Sequence, residues 1–246
     1  MRRAASAPAV LVAAGLEATG RVGLLADVSA VAAAGGVAFG LATALTAQGR
    51  AFRCRPVPGA LLQAQLEAAL AYRRPDSVKL GMVPDQRTLA VLWPRLVRLR
   101  VPVVVDPVVR TSRGERLSRL RPADFRALAR PWVWLTPNVQ ELAWLLGQRA
   151  VPEGPEAVCQ LATALRADGF GAVLVKGGQL AGPPVDVLVL PQGVHRWKGS
   201  RLRRHSGQRG TGCRFASTLA TQLARGLGPT AAVSGARAAV RQYLRG

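Results

Sequence analysis

"VPVVVDP", residues 101–107, decides how the rest of the chain is read. Three valines follow one another with no polar residue between them. A strand with one face in water alternates apolar and polar side chains, whereas a continuously apolar run belongs to a strand covered on both faces, as at the centre of a parallel sheet. The run stops at Asp106, before a proline. Open α/β sheets bind ligands beyond the C-terminal ends of their strands, so this carboxylate stands in the place for chemistry. A metal, or a metal bound to phosphate, suits it.

Working outward, short β-type runs alternate with longer helical patterns. Strands are predicted at 9–14 (AVLVAA), 37–48, 76–82, 131–138 and 171–178. Helices are predicted at 23–36, 59–74, 85–99 (with Pro94 as a kink), after 138, at 153–168, and at 212–226 and 229–244. "VDVLVL-PQG-VHRW" reads as a hairpin at the sheet's edge. Repeated βα units closed by a hairpin imply a mostly parallel sheet with helices on both faces. With no internal repeat and no linker, residues 1–246 read as a single α/β domain.

Composition narrows the function classes. Apolar residues make up 49% of the chain, enough for a sizeable core. The net charge is +21, carried almost entirely by arginine, since Lys79, Lys176 and Lys198 are the only lysines among 34 basic residues. The arginines are scattered. No zinc spacing, helix-turn-helix signature or aromatic-studded basic strand accompanies them, so nucleic acid is not the expected partner. Acidic small substrates such as phosphates account for clustered arginine as well. Cys54, Cys159 and Cys213 are too widely spaced for a disulfide framework and fit a reducing, cytoplasmic compartment. His195 and His205 are too few for a histidine-built metal centre, and His205 reads as a solvated strand position. "MRR" before "AVLVAAGL" imitates a short signal peptide, but Glu17 follows without a clean cleavage site, and a buried first strand accounts for the run better. No segment reaches the ~18 consecutive apolar residues of a membrane span.

The strand-end positions that carry polarity or glycine are Gly15, Gln48, Lys79 to Met82, Asp106, Asn138 with Glu141, Lys176 to Gly178, and the 210–213 turn. Asn138 and Glu141 open a helix and suit capping as well as catalysis. Lys176 ends an apolar strand before two glycines, where a cation can meet a phosphate. Gly210-Thr211-Gly212 leads into a helix whose free N–H groups and dipole favour anions. The same helix end is expected to lower the pKa of Cys213 and make its thiol a proton acceptor. Together these parts suit phosphoryl transfer, in which charge on the transferred group must be stabilised.

"LATALTAQ", "VKLGM", "VVVDPVV", "LTPNVQE", "AVLVKGGQL" and "GTGC" occur in that order and spacing. On these motifs the chain, from about residue 10 to 240, resembles the hydroxymethylpyrimidine/phosphomethylpyrimidine kinases of thiamine biosynthesis, in the ribokinase-like superfamily. The resemblance implies phosphorylation of 4-amino-5-hydroxymethyl-2-methylpyrimidine, then of its monophosphate, with ATP and Mg2+. It implies that Gly210 to Cys213 form the anion hole, with Cys213 as the base that deprotonates the hydroxymethyl group. Lys176, with Gly178, Thr211 and Gly212, would meet the ATP phosphates. Asp106 and Glu141 would stand near magnesium. Gly15, Asp27, Gln48, Met82 and Val108 would form the pyrimidine pocket, where an amide and a carboxylate suit an aminopyrimidine edge. A homodimer is also implied.

The first loop departs from the family pattern. Glu17 replaces an aspartate and Arg21 a glycine; Arg209 and Gln179 replace histidines. "RTSRG" follows "DPVV" where the family has small residues. Arg21, Arg110, Arg113 and Arg209 are candidates to hold a substrate phosphate. Two other readings remain open: a pyridoxal or other small-alcohol kinase of the same superfamily, and a catalytically weak pyrimidine-binding regulator.

Overall fold

The computed structural model describes residues 6–201 and 208–245; His205 lies outside them. Nine strands form one sheet in the order β3-β2-β1-β4-β5-β6-β7-β8-β9. The strands are β1 (Ala9–Glu17), β2 (Val37–Gln48), β3 (Phe52–Pro56), β4 (Ser77–Leu80), β5 (Val103–Val105), β6 (Val133–Leu135), β7 (Ala172–Val175), β8 (Val185–Leu190) and β9 (Gly193–Lys198). From β2 across to β7 all neighbours are parallel. Both margins are antiparallel: β3 on β2, and the β8–β9 hairpin on β7.

The valine run is central, as its composition requires. Val103 and Val105 face one core and Val104 the other, all fully buried. β1 and β7 divide in the same way: Leu11, Ala13, Val173 and Val175 point to one side, and Val10, Val12, Ala172 and Leu174 to the other. The first side is covered by α2 (Gly59–Tyr72), α3 (Gln86–Leu96), α4 (Pro122–Arg126), α5 (Val139–Leu145) and α6 (Gly154–Arg166). The second is covered by α1 (Gly23–Ala33), α7 (Thr211–Ala224) and α8 (Pro229–Arg245). This is the two-faced α/β sandwich expected from a continuously apolar sheet.

Two elements were not legible in the sequence. β3 alternates arginine with Cys54 along an exposed edge, and α4 is a single short turn of helix. Pro94 lies inside α3, which passes into a tight 3-10 turn at Val97–Leu99.

Candidate active site

A cleft of about 1280 Å³ runs across the C-terminal ends of the parallel strands. Its walls bring together Gly15, Gln48, Met82, Asp106, Val108, Glu141, Lys176, Gly178 and Gly210 to Cys213. Residues as far apart as 15 and 213 meet here because parallel strands deliver their ends to one edge of the sheet.

At the centre, Lys176 Nζ donates to Asp106 Oδ1 at 2.7 Å. The Lys176 side chain keeps 17% of its surface open, while Asp106 keeps 2%. Burial pulls the Lys176 pKa down, but Asp106 and Glu141 more than offset it, so the ammonium is held above its ordinary value. Gly212 brings the 210–213 turn against this pair: a Cβ there would lie 3.4 Å from Lys176 Nζ.

The turn itself is set by Gly210, which has φ +77°. A side chain at that position would be strained, and its Cβ would lie 2.2 Å from the Arg21 carbonyl of the first loop. The first loop doubles back in turn, with a bridge between Leu16 and Gly23. The Gly23 N–H faces the Cys213 sulfur. α7 starts at Thr211, placing Cys213 in its first turn.

Here the sequence-based expectation for the thiol is corrected. Burial pushes the Cys213 pKa up to about 11; the carboxylates of Asp27 and Asp106 add to the rise, and Lys79 and the Gly23 N–H oppose it. The helix end does not decide the matter, because burial and two carboxylates outweigh it.

Asp27 is also placed differently. It is fully buried and is absent from the cleft wall. Its Oδ2 accepts from Lys79 Nζ at 2.7 Å and its Oδ1 from the Ser217 hydroxyl at 2.8 Å. Both carboxylate oxygens are therefore engaged inside the protein. Burial pulls the Lys79 pKa down, but Asp27 more than compensates, so Lys79 remains protonated. The family resemblance alone put Asp27 at the pocket; of the same loop, Gly15 and Gly23 do border it.

Glu141 and Asn138 form a reciprocal cap on α5. The Asn138 N–H donates to Glu141 Oε2 at 2.7 Å, and the Glu141 N–H to Asn138 Oδ1 at 2.9 Å. The capping reading of this pair is thus realised within the cleft wall. Burial raises the Glu141 pKa to about 7, Asp106 adding to the rise and Lys176 opposing it. No group of three or more His, Cys, Asp or Glu side chains with metal-binding geometry occurs among the described residues.

At the other end of the cleft, Met82 packs with Ala44 and Leu117, and Val108 and Phe52 lie against them. The tight approach of Gly15 completes this apolar floor, since a Cβ there would meet Met82 Cε at 2.7 Å. Gln48 is already engaged: its Oε1 accepts from Arg209 Nη2 at 2.8 Å. Arg110, Arg113 and Arg209 border the cleft, whereas Arg21 does not.

Sequence reasoning missed the groups that hold the lysine loop. Arg201 donates to the carbonyls of Gly178 (3.1 Å), Leu180 (2.6 Å) and Gly182 (2.9 Å). Asp186 accepts from the Gly177 N–H at 2.8 Å. Nothing in the local sequence marks either residue, because the partners lie in neighbouring loops.

A family model described as phosphomethylpyrimidine kinase matches residues 17–246. The chain is 35% identical, over 99% of its length, to a thiamine biosynthesis multifunctional protein of Corynebacterium efficiens, and spans about a third (34%) of that protein. It is 32% identical to the hydroxymethylpyrimidine/phosphomethylpyrimidine kinase of Rhizobium meliloti, covering 92% of this chain and 86% of that one. Among solved structures, the pyridoxal kinase of Staphylococcus aureus in complex with AMP-PCP superposes with a TM-score of 0.86, covering 98% of this chain and 89% of that one at 24% identity, a likeness of fold. The nine-stranded sheet, the strand-end cleft and the match over nearly the whole chain lead to one conclusion: this protein belongs to the phosphomethylpyrimidine kinase family.

Proposed function

We propose that this chain transfers a phosphoryl group from ATP to the hydroxymethyl group of 4-amino-5-hydroxymethyl-2-methylpyrimidine, and then to the resulting monophosphate, in thiamine biosynthesis. The observation that carries the reading is the Lys176–Asp106 pair opening onto the Gly210–Cys213 turn in the middle of one continuous cleft. One end of that cleft is an apolar floor bearing an amide; the other is a loop braced by Arg201.

The residues fit a polyphosphate. Gly212 leaves open the space that a Cβ would fill beside Lys176, and the first N–H groups of α7 face it. When bound, ATP supplies the phosphoryl group. Lys176 neutralises charge on it, and the turn's N–H groups meet the charge that develops in the transition state. Gln48, Met82 and Val108 orient the ring, and Gly15 lets it approach β1. Arg209 must release Gln48 for that contact to form. Cys213 acts as its thiolate: Sγ takes the hydroxyl proton as the oxygen bonds to phosphorus. With a pKa of about 11 the group rests as the thiol, so its own proton must first leave to solvent; protonated Lys79 and the Gly23 N–H favour the thiolate that remains. For Mg2+, Asp106 and Glu141 are the available carboxylates. Two such groups, one of them ion-paired, suit a cation held mainly by phosphate oxygens and water. The protein is expected to work in the cytoplasm, where Cys54, Cys159 and Cys213, all free, stay reduced. A homodimer is also expected.

The likeness of fold to pyridoxal kinase favours a second reading, phosphorylation of pyridoxal. Mass spectrometry of purified protein with ATP, Mg2+ and the pyrimidine, with pyridoxal in parallel, separates the two. Monophosphate followed by diphosphate from the pyrimidine supports the proposal in full. Monophosphate alone removes the second step. Product from pyridoxal only transfers the assignment. Pyrimidine binding without product indicates a regulator.

A further inference from the structure

Tyr243 sits in the last turn of α8, far along the chain from every strand end, yet it touches both flanks of the anion-binding turn. Its hydroxyl donates to the backbone carbonyl of Arg209 at 3.0 Å. Its own carbonyl accepts from Gln208 Nε2 at 3.0 Å. On the far side of the turn, the Arg214 guanidinium lies over the Tyr243 ring, 4.1 Å from the centroid. That guanidinium has a buried Nε with no hydrogen-bond partner among the described residues, so the ring face is what receives it. Residues 208, 209 and 214 bracket Gly210 to Cys213. The opposite surface of the same turn is pressed against the first loop at the Arg21 carbonyl. The turn is therefore gripped between the first loop and the last helix. The grip extends further: Arg209, whose carbonyl Tyr243 holds, sends its side chain to Gln48 at the apolar end of the cleft.

We propose that Tyr243 is a positioning residue. It fixes the anion-binding turn from behind and, through Arg209, sets where Gln48 is held before substrate arrives. A hydroxyl on the last helix thus couples the middle of the cleft to its apolar end without touching either substrate. The inference rests on the reading of Gly210–Cys213 as the turn that meets phosphate.

Tyr243→Phe removes the hydroxyl and keeps the ring under Arg214. One hydrogen bond of ordinary net strength corresponds to about a fivefold effect. A fall of about fivefold in kcat is expected, together with a similar acceleration of amide hydrogen exchange confined to residues 208–213. The thermal midpoint should fall by no more than about 2–4 °C, the shift that one such bond is worth in a domain of this size. Arg214→Met, which removes the other flank, should produce the same local acceleration. Combined with Arg209→Ala, Tyr243→Phe should change the KM for the pyrimidine less than the sum of the two single effects. Wild-type kcat in Tyr243→Phe overturns the proposal even if exchange changes. Acceleration spread along α8 with a larger fall in the thermal midpoint also overturns it, since that would make the tyrosine a packing residue only. Hydrogen exchange does not depend on turnover. A wild-type protein inactive on the pyrimidine but showing the local exchange effect would defeat the proposed substrate and leave the clamp standing.

Discussion

Two lysine–aspartate pairs lie near each other under the strand ends, each closed at 2.7 Å, and they are built for different purposes. Lys79 and Asp27 are sealed, with 1% and 0% of their side chains exposed, and Ser217 occupies the second carboxylate oxygen. Lys176 and Asp106 have the same chemistry, but the lysine opens on the cleft and, among the described residues, only one carboxylate oxygen has a protein partner. A sealed pair cannot exchange its partner without leaving a buried charge bare. An open one can, because an arriving anion can reach the exposed part of the lysine. What separates the two pairs is access, since the bond lengths are the same.

The largest expected effect comes from breaking the sealed pair on one side. Asp27→Ala should cost about 3–5 kcal/mol in urea unfolding, because Lys79 is left unpaired in the interior. Removing both charges, as Asp27→Leu with Lys79→Met, should restore most of that stability; failure to do so would show that the pair itself is worth more than its desolvation. The open pair should answer first in activity. Lys176→Ala is expected to lower kcat/KM by about 10²–10³-fold, the scale of losing one transition-state charge contact. It should cost less stability than Asp27→Ala, because the vacated space opens on the cleft and admits water to Asp106. A loss as large as that of Asp27→Ala would erase the distinction between the pairs.

A subtler difference is carried by Cys213, which feels both pairs. With its thiol at about 11, the thiolate fraction rises tenfold per pH unit below that value. If the thiolate of the free enzyme is needed, kcat/KM should climb with the same slope from pH 7 to 10, and Cys213→Ala should abolish both the slope and most of the turnover. A plateau below pH 8 would mean that substrate binding, not bulk pH, removes the proton. The smallest effect is reserved for an exposed pair used as a control. Arg95→Ala, which frees Glu67 on the surface, should change stability by about 1 kcal/mol or less and leave kcat unaltered.

Much of this was readable in the chain. The valine run placed β5 at the centre, since alternation is lost only when both faces are buried. The strand ends then name Asp106, Lys176 and the 210–213 turn as neighbours from the sequence alone. The failures share a cause. Asp27 is assigned to the pocket by the family resemblance alone; only packing shows that its carboxylate turns inward to Lys79. A helix end alone predicts a lowered thiol pKa, and the carboxylates that oppose it come from α1 and from the residue that follows β5. β3 escaped because an exposed edge of alternating arginines has no apolar signature. Arg201 and Tyr243 escaped because their partners are carbonyl oxygens in segments remote along the chain, and a backbone carbonyl leaves no mark on the sequence.

The order in which the parts are made has a consequence of its own. Asp27 is synthesised early, but the hydroxyl that completes its shell belongs to Ser217, and the Ser77 hydroxyl donates to the carbonyl of Ala220. α7 and α8 also supply Phe215, Ala216, Leu219, Ala220, Ala232, Val233 and Ala236 to the core that covers Val10, Val12, Val104 and Leu174. A ribosome that has delivered the first two hundred residues has therefore made nearly the whole sheet and left much of one face bare. Until the last two helices emerge, that face is a sticky surface in a crowded cell, guarded by α1 alone. A stop codon or stalled translation just before α7 should send the nascent chain into aggregates rather than yield a shortened, half-active enzyme.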